Sequence, residues 1–346
     1  MKRVMTIVGC ILLAANCLCF GQSKTLKYKM VNSFPVEGAG GWDYLKVDEA
    51  TNRLFISHGM VTQVMDCKTG KLIGTIEDTK GVHGIAFDQE ENKAFISCGR
   101  DSSVSVVNLT TLAFISKVKV TGANPDAILY DSFSDKVFVF NGRSSNATVI
   151  DTKTNTVVAT IPLAGKPEFS ATDKNGKVYV NIEDKSLITV IDSKNLKVEN
   201  TWSLAPGEEP SGLALDNKTH RLFAVCGNKK MVVMNALNGK IISTLEIGEG
   251  SDGCAFDPQL KRAYSSNGEG TLTVVQEGDA DKFYVLETIP TKKGARTIGV
   301  DTKTHHLYLP TAELGAAPEA TAENQHPRPT IKPGTFTILD VAPVQQ

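Results

Sequence analysis

Residues 125–162, PDAILYDSFSDKVFVFNGRSSNATVIDTKTNTVVATIP, hold the unit from which the fold is read. Four short runs, Ala127–Tyr130, Lys136–Phe140, Ala147–Asp151 and Thr156–Ile161, alternate with polar joints at Ser132–Asp135, Gly142–Ser145 and Asp151–Asn155. Gly, Asn, Asp, Ser and Thr fill those joints, and they either take positive φ or bond their own backbone in tight turns. The runs therefore predict four antiparallel strands. One sheet of this size has too little apolar area to bury both faces by itself, so it needs a neighbour on each side.

The rest of the chain supplies those neighbours. The Asp that ends the first run recurs as Asp48, Asp88, Asp131, Asp173, Asp216, Asp257 and Asp301, at spacings of 40, 43, 42, 43, 41 and 44 residues. After each comes a second run, such as LFISHG from Leu54, AFISCG from Ala94 or LFAVCG from Leu222, and then a third, such as ATVID, ITVID or FTILD. Seven units at this period predict a radial or stacked repeat. Turn residues interrupt every run before a 3.6-residue stripe can develop, which excludes amphipathic helices. With 346 residues the chain is long for one domain, but closed all-β rings are the known exception, and 41% hydrophobic residues suffice for a core.

The two ends explain each other. Ser33–Gly38 (SFPVEG) aligns with Thr160–Gly165 (TIPLAG), the end of a fourth strand and its exit, although no full unit precedes it. The last unit stops after its third strand, Thr335–Val341, with no residues left for a fourth. An N-terminal strand within Lys24–Val36 therefore completes the last sheet and closes the ring. The predicted fold is an all-β, seven-bladed β-propeller of four-stranded antiparallel blades. It occupies 22–346 as a single domain, with an inserted Pro/Ala-rich loop at 312–334.

The units VSVVNLTTLAFISKVKVTGANPD and ATVIDTKTNTVVATIPLAGKPE resemble the YVTN repeat of the bacterial YncE-like propellers. The resemblance runs through nearly all of the chain after residue 21, including the Pro-rich insertion of the closing blade. It implies a propeller fold and export. It implies little chemistry, because the family's function is mostly unassigned: a few relatives bind DNA, and others are surface proteins or propeller parts of redox enzymes.

Residues 1–21 carry Lys2-Arg3, an apolar run from Val4 and small residues before Ser23, the pattern of a cleaved secretory signal; the apolar run is short for a membrane anchor. Asn16 before Cys17 fits a lipoprotein site poorly. The expected location is the periplasm or outside the cell, with no transmembrane segment in the mature chain and a monomeric state. Without Lys2 and Arg3, 35 of the 37 basic residues face 38 acidic ones, a net charge of about −3. That balance argues against phosphate-driven nucleic-acid binding, so single-stranded DNA binding rests on family analogy alone. Cys67, Cys98, Cys226 and Cys254 follow the signal, too few for a cysteine-stapled fold. Export permits a Cys226–Cys254 disulfide; buried free thiols are the plainer reading.

In a propeller the first strands line the central channel. Five residues before each landmark Asp the blades present Asp43, His83, Asp126, Glu168, Ser211, Asp252 and Arg296. The joint between second and third strands, expected on the same face, begins at His58, Cys98, Asn141, Ile182, Cys226, Asn267 or Thr311. The candidate ligand-binding set is Asp43, His58, His83, Asp126, Asn141, Glu168, Asp252 and Arg296, with a small polar ligand or a protein as partner. The plainer alternative is a set of turn-forming residues at a watery channel mouth.

Asp43, His58 and His83 have the donor types of a divalent or transition-metal site, but no short-spacing motif joins them. A metal-dependent hydrolase of lactonase type would use Asp43, Asp126, Glu168, Asn141 and Asp252. No GxSxG, HExxH or CxxC motif is present. A non-catalytic binding scaffold is therefore the leading reading. Trp42 is placed at the mouth, where it could stack on a base or sugar, and Trp202 between blades. His220, His305 and His306 are expected on the surface of the far turns. The insert is expected to rise at the funnel as a lid or docking arm, with His326, Arg328 and Lys332 over the acidic mouth, or else to be a tolerated excursion.

Overall fold

The computed structural model describes residues 26–279, 281–319, 321 and 329–345. The signal expected at 1–21 and the insert residues His326 and Arg328 lie outside the described residues. Seven four-stranded antiparallel sheets form the molecule. The first strands are Trp42–Asp48, Val82–Asp88, Pro125–Asp131, Pro167–Thr172, Pro210–Asp216, Ser251–Asp257 and Gly299–Asp301, in blades one to seven. They neighbour one another in sequence order, and the seventh returns to the first, so they ring an axis. The only described helical turn is Glu183–Lys185, and no described helix is long and apolar enough to cross a membrane.

The apolar runs are continuous because both faces of each sheet are covered. Buried residues fall into seven clusters, each shared mainly by two adjacent blades. Strand alternation divides the side chains. Phe138 and Phe140 of blade three face Val178, Val180 and Ile182 of blade four, while Val137 and Val139 face Phe95, Val104 and Val106 of blade two. Trp202 packs against Gly239 of the next blade, where a Cβ would lie 2.4 Å from its ring. All four described cysteines are buried and unpaired.

The repeated Asp is a turn clamp. Asp88 accepts from the backbone N–H of Glu90 and Glu91, and Asp257 and Asp301 accept from the corresponding pairs in their own turns. This side-chain bond closes the turn into the second strand. The same carboxylates tie blades together: Gln89 donates to Asp48 (3.1 Å), Thr172 to Asp131 (2.6 Å), and His305 Nδ1 meets Asp257 at 2.6 Å. His305 and His306 were expected on the open surface, yet both are half-buried, because each is drawn against a buried carboxylate, Asp257 or Asp340.

The ring closes as the matching ends require. Leu26–Pro35 pairs antiparallel with Thr337–Gln345 and becomes the outer strand of blade seven. Tyr28 also reaches blade six. Its hydroxyl meets that of Tyr264 at 2.6 Å in a buried site, its N–H donates to Glu287, and Arg262 lies over its ring. Tyr28→Ala should therefore cost about 3–5 kcal/mol in urea unfolding, the range for a buried aromatic truncation. Met30→Ala, on the exposed face of the same strand, should stay within about 0.5 kcal/mol. Equal effects would show that this strand does not lock the ring.

Candidate site in the axial throat

In six blades the register between first and second strands slips at one place, between residues 42 and 45, 82 and 85, 125 and 128, 167 and 170, 210 and 213, and 251 and 253. Asp43, His83, Asp126, Glu168, Ser211 and Asp252 lie inside those slips. A bulge re-aims a side chain that would otherwise follow the pleat. In blade seven Arg296 comes before the first strand begins. All seven residues line one cavity of about 210 Å³, together with Tyr44, Lys166 and Glu183.

The bulged carbonyls are held from neighbouring blades. Ser97 donates to Asp126 O, Asn181 to Ser211 O, Ser266 to Arg296 O and Thr297 to Asp43 O, at 2.5–2.8 Å. Below the polar ring, Tyr44 of blade one meets Phe169 of blade four edge-on, with centroids 5.1 Å apart. Blades one and four are not neighbours, so this pair spans the axis and floors the throat.

A chain of charged contacts runs round the ring. His83 Nδ1 lies 2.6 Å from Asp43 and 3.6 Å from Asp126. Arg296 Nε donates to Asp252 at 2.7 Å, and its terminal amine lies 3.8 Å from Asp43. Ser211 donates to Asp252. Lys166 contacts Glu168 and Glu183. Five carboxylates thus share three cationic side chains.

Burial alone would lower the pKa of His83, but its bond to Asp43 and the charges of Asp126 and Asp43 outweigh that and raise it to about 9. Burial, joined by the charges of Asp43 and Asp252, lifts Asp126 well above the ordinary carboxylate range against the pull of His83. Burial and the Asp126 charge do the same to Glu168, although Lys166 opposes them. Lys166 itself moves upward, because its bonds to Glu168 and Glu183 overcome burial.

Two of the sequence-derived site residues do not join this cluster. His58 is buried, bonded to Gln63 at 2.7 Å and stacked near Phe336 in the seam between blades one and seven. Asn141 is buried and donates to Asn146 and Thr148. The whole second-strand set is buried, because these positions follow the pleat into blade interfaces while the bulge sends only the first-strand residues to the axis. Asp43, His83 and Asp126 offer ligand atoms within 4.8 Å of one another, a spacing a metal ion can use without His58. Nδ1 of His83, however, already holds a hydrogen bond to Asp43.

Trp42 is buried beside Phe336, with Arg296 over its ring at 6.0 Å. The two ends of the insert pair as a short ladder, Leu314 opposite Ile331, both pack on the core cluster that holds Trp42, and with Pro329 they line a cavity beside Trp42 and Arg296. Its base therefore stands at the mouth. Above the throat lies a wider bowl of about 670 Å³, which includes Arg100, Asn124 and Arg143 and shares Asp43, His83 and Arg296 with it. The sequence pattern did not single out Arg100, Arg143 or Lys166, since none sits at a repeated first-strand position.

No family model matches the chain, and no curated protein matches it. Among solved structures, Kuenenia stuttgartiensis hydrazine synthase superposes with a TM-score of 0.69 at 15% identity, over 86% of this chain and 97% of that one. A chain from a mitotic checkpoint complex superposes with a TM-score of 0.74 at 11% identity, over 100% of this chain and 99% of the other. At such identities the likeness defines the architecture alone: this is a seven-bladed β-propeller. That 1820 solved chains match shows why architecture by itself selects no activity.

A raised histidine pKa means that its stabilising charge is fully present below the ordinary value of 6.5 and is lost as pH rises through about 9. Asp43→Asn should lower the His83 pKa by about one to three units in an NMR titration of the imidazole, since burial remains when the opposite charge goes. An unchanged value would contradict the pairing.

Proposed function

We propose that this chain is an exported, non-catalytic binding propeller of the YVTN-repeat kind, whose axial mouth holds a small polar ligand. The observation that carries the proposal is the throat itself. One residue per blade, in six blades a bulge residue, contributes to a floored cavity whose five carboxyl groups, buried or half-buried, outnumber its three cations. That excess holds Asp126 and Glu168 toward their neutral forms, and a ligand that brings positive charge would favour their ionised ones. The repeat resemblance and the leader-like 1–21 support export.

Among the described residues the throat holds no activated nucleophile. The Ser211 hydroxyl donates to Asp252, a carboxylate that Arg296 also holds and so weakens as a base. Burial raises the thiols of Cys67 and Cys226 to about 12, far from the thiolate a nucleophile needs. The spacing of Asp43, His83 and Asp126 favours one second reading, a metal-dependent hydrolase of lactonase type without Asn141. Elemental analysis with calcium and zinc titration tests it: a bound ion and an esterase or lactonase activity, both lost in Asp126→Ala, would replace the binding reading.

Asp126→Asn separates stability from binding. The fold favours the protonated Asp126, so this residue's contribution to stability is fully present below the ordinary value of 3.8 and is lost as pH rises from there through about 7. Relative to its effect at pH 3, the variant should gain about 0.5–2 kcal/mol at pH 8 and less at pH 5, and it should lose the thermal shifts that a screen of small polar compounds gives with the native protein. Compounds that stabilise both proteins equally would place binding elsewhere. Replacing 317–329 by Asn-Gly keeps the Leu314–Ile331 base and should leave the unfolding midpoint unchanged while altering affinity in the same screen. Unchanged affinity would make the arm a bystander.

A further inference from the structure

We infer that the mouth takes a small dipolar ligand, one that carries an amine and a carboxylate, with the ammonium in the throat at Asp126 and the carboxylate in the bowl at Arg100 and Arg143. This rests on the mouth being a ligand site and adds the chemical class.

The cationic end follows from the throat's pairing. Asp43 has His83, Asp252 has Arg296, and Glu168 and Glu183 share Lys166. Asp126 keeps only the longer 3.6 Å approach to His83. It is the carboxylate without a close partner of its own, in a cavity of about 210 Å³ that suits an ammonium head and little more.

The anionic end follows from the bowl. Arg100 and Arg143 are exposed, line it, and make no side-chain hydrogen bond or ion pair among the described residues. Their places are fixed by their turns. Arg100 N donates to Lys80 O, and its stem lies on Gly81, where φ is +63° and a Cβ would stand 2.6 Å from Arg100 Cγ. Arg143 N donates to Ala123 O in the loop that leads into its own blade. His83 adds a third donor. Its Nδ1 is spent on Asp43, while Nε2 lies beside Gly99 with no protein partner among the described residues.

The corresponding turns of blades four and six carry Asp184 and Glu269 instead, so the two arginines without a side-chain partner among the described residues stand on blades two and three. Bowl and throat are continuous through Asp43, His83 and Arg296. An anion alone would leave Asp126 without a cation, and a cation alone would leave the arginines unmet. A dipolar molecule satisfies both.

Calorimetric titration of the mature protein at pH 7 tests this with ω-amino acids from glycine to 6-aminohexanoate, each beside the amine and the carboxylate of equal length. At least one amino acid should bind about tenfold or more tighter than both of its single-charge counterparts. Arg100→Gln/Arg143→Gln should remove that advantage while leaving the amine's affinity in place, and Asp126→Asn should do the converse for the carboxylate. An amine that binds as tightly as its amino acid would overturn the dipolar assignment and keep the cation-binding mouth. A carboxylate that does so would overturn the throat's role. If none of these probes binds while the broader polar screen yields a ligand dependent on Asp126, the dipolar class fails alone; if that screen also yields none, the site reading fails with it.

Discussion

The backbone bulge at the start of the first strand in six of the seven blades is the constraint on which the site depends. Strand pleating sends successive side chains to opposite faces, and in a propeller both faces of a blade belong to blade interfaces. A regular strand would deliver apolar residues to its neighbours and nothing to the axis. The slip in register at Asp43, His83, Asp126, Glu168, Ser211 and Asp252 releases one side chain per blade from that alternation. Hydrogen bonds from Ser97, Asn181, Ser266 and Thr297 then fix the bulged carbonyls from adjoining blades. Site geometry is thus a property of the closed ring, since each position is held partly by its neighbour.

Closure itself is assembled from weak parts used repeatedly. Seven apolar clusters join the blades, and the landmark carboxylates clamp turns on the far side while bonding across to the next blade. Only the seam at blade seven needs a long-range event, the pairing of Leu26–Pro35 with Thr337–Gln345. Placing five carboxylates against three cations at the axis opposes this stability, because the buried acids resist ionisation. Functional sites are where such local conflict is expected, and here it gathers on Asp126 and Glu168.

The fold was legible because its signals recur. The Asp from Asp48 to Asp301 marks the period, and the shared pattern of Ser33–Gly38 and Thr160–Gly165 reveals how the ends meet. The axial residues were legible through the same period, as polar positions five before each Asp. His58 and Asn141 misled, because a polar residue at a strand end looks alike whether it faces solvent or a blade interface; burial decides, and burial depends on the neighbouring sheet. Arg100, Arg143 and Lys166 lacked a sevenfold signature, so only the folded ring shows them near the axis. Ser97 and Ser266 read as ordinary strand residues until the bulge they support is seen.

The pair formed by Tyr44 and Phe169 reports on the central geometry most directly, because each ring follows an axial residue and the two belong to blades that are not neighbours. In protein labelled on tyrosine and phenylalanine, the aromatic protons of Tyr44 and Phe169 should show direct nuclear Overhauser cross-peaks, as their centroid separation of 5.1 Å requires. If both rings were assigned and no cross-peak joined them, the first strands would not converge on a floored throat, and the grouping of the seven side chains above it would be contradicted.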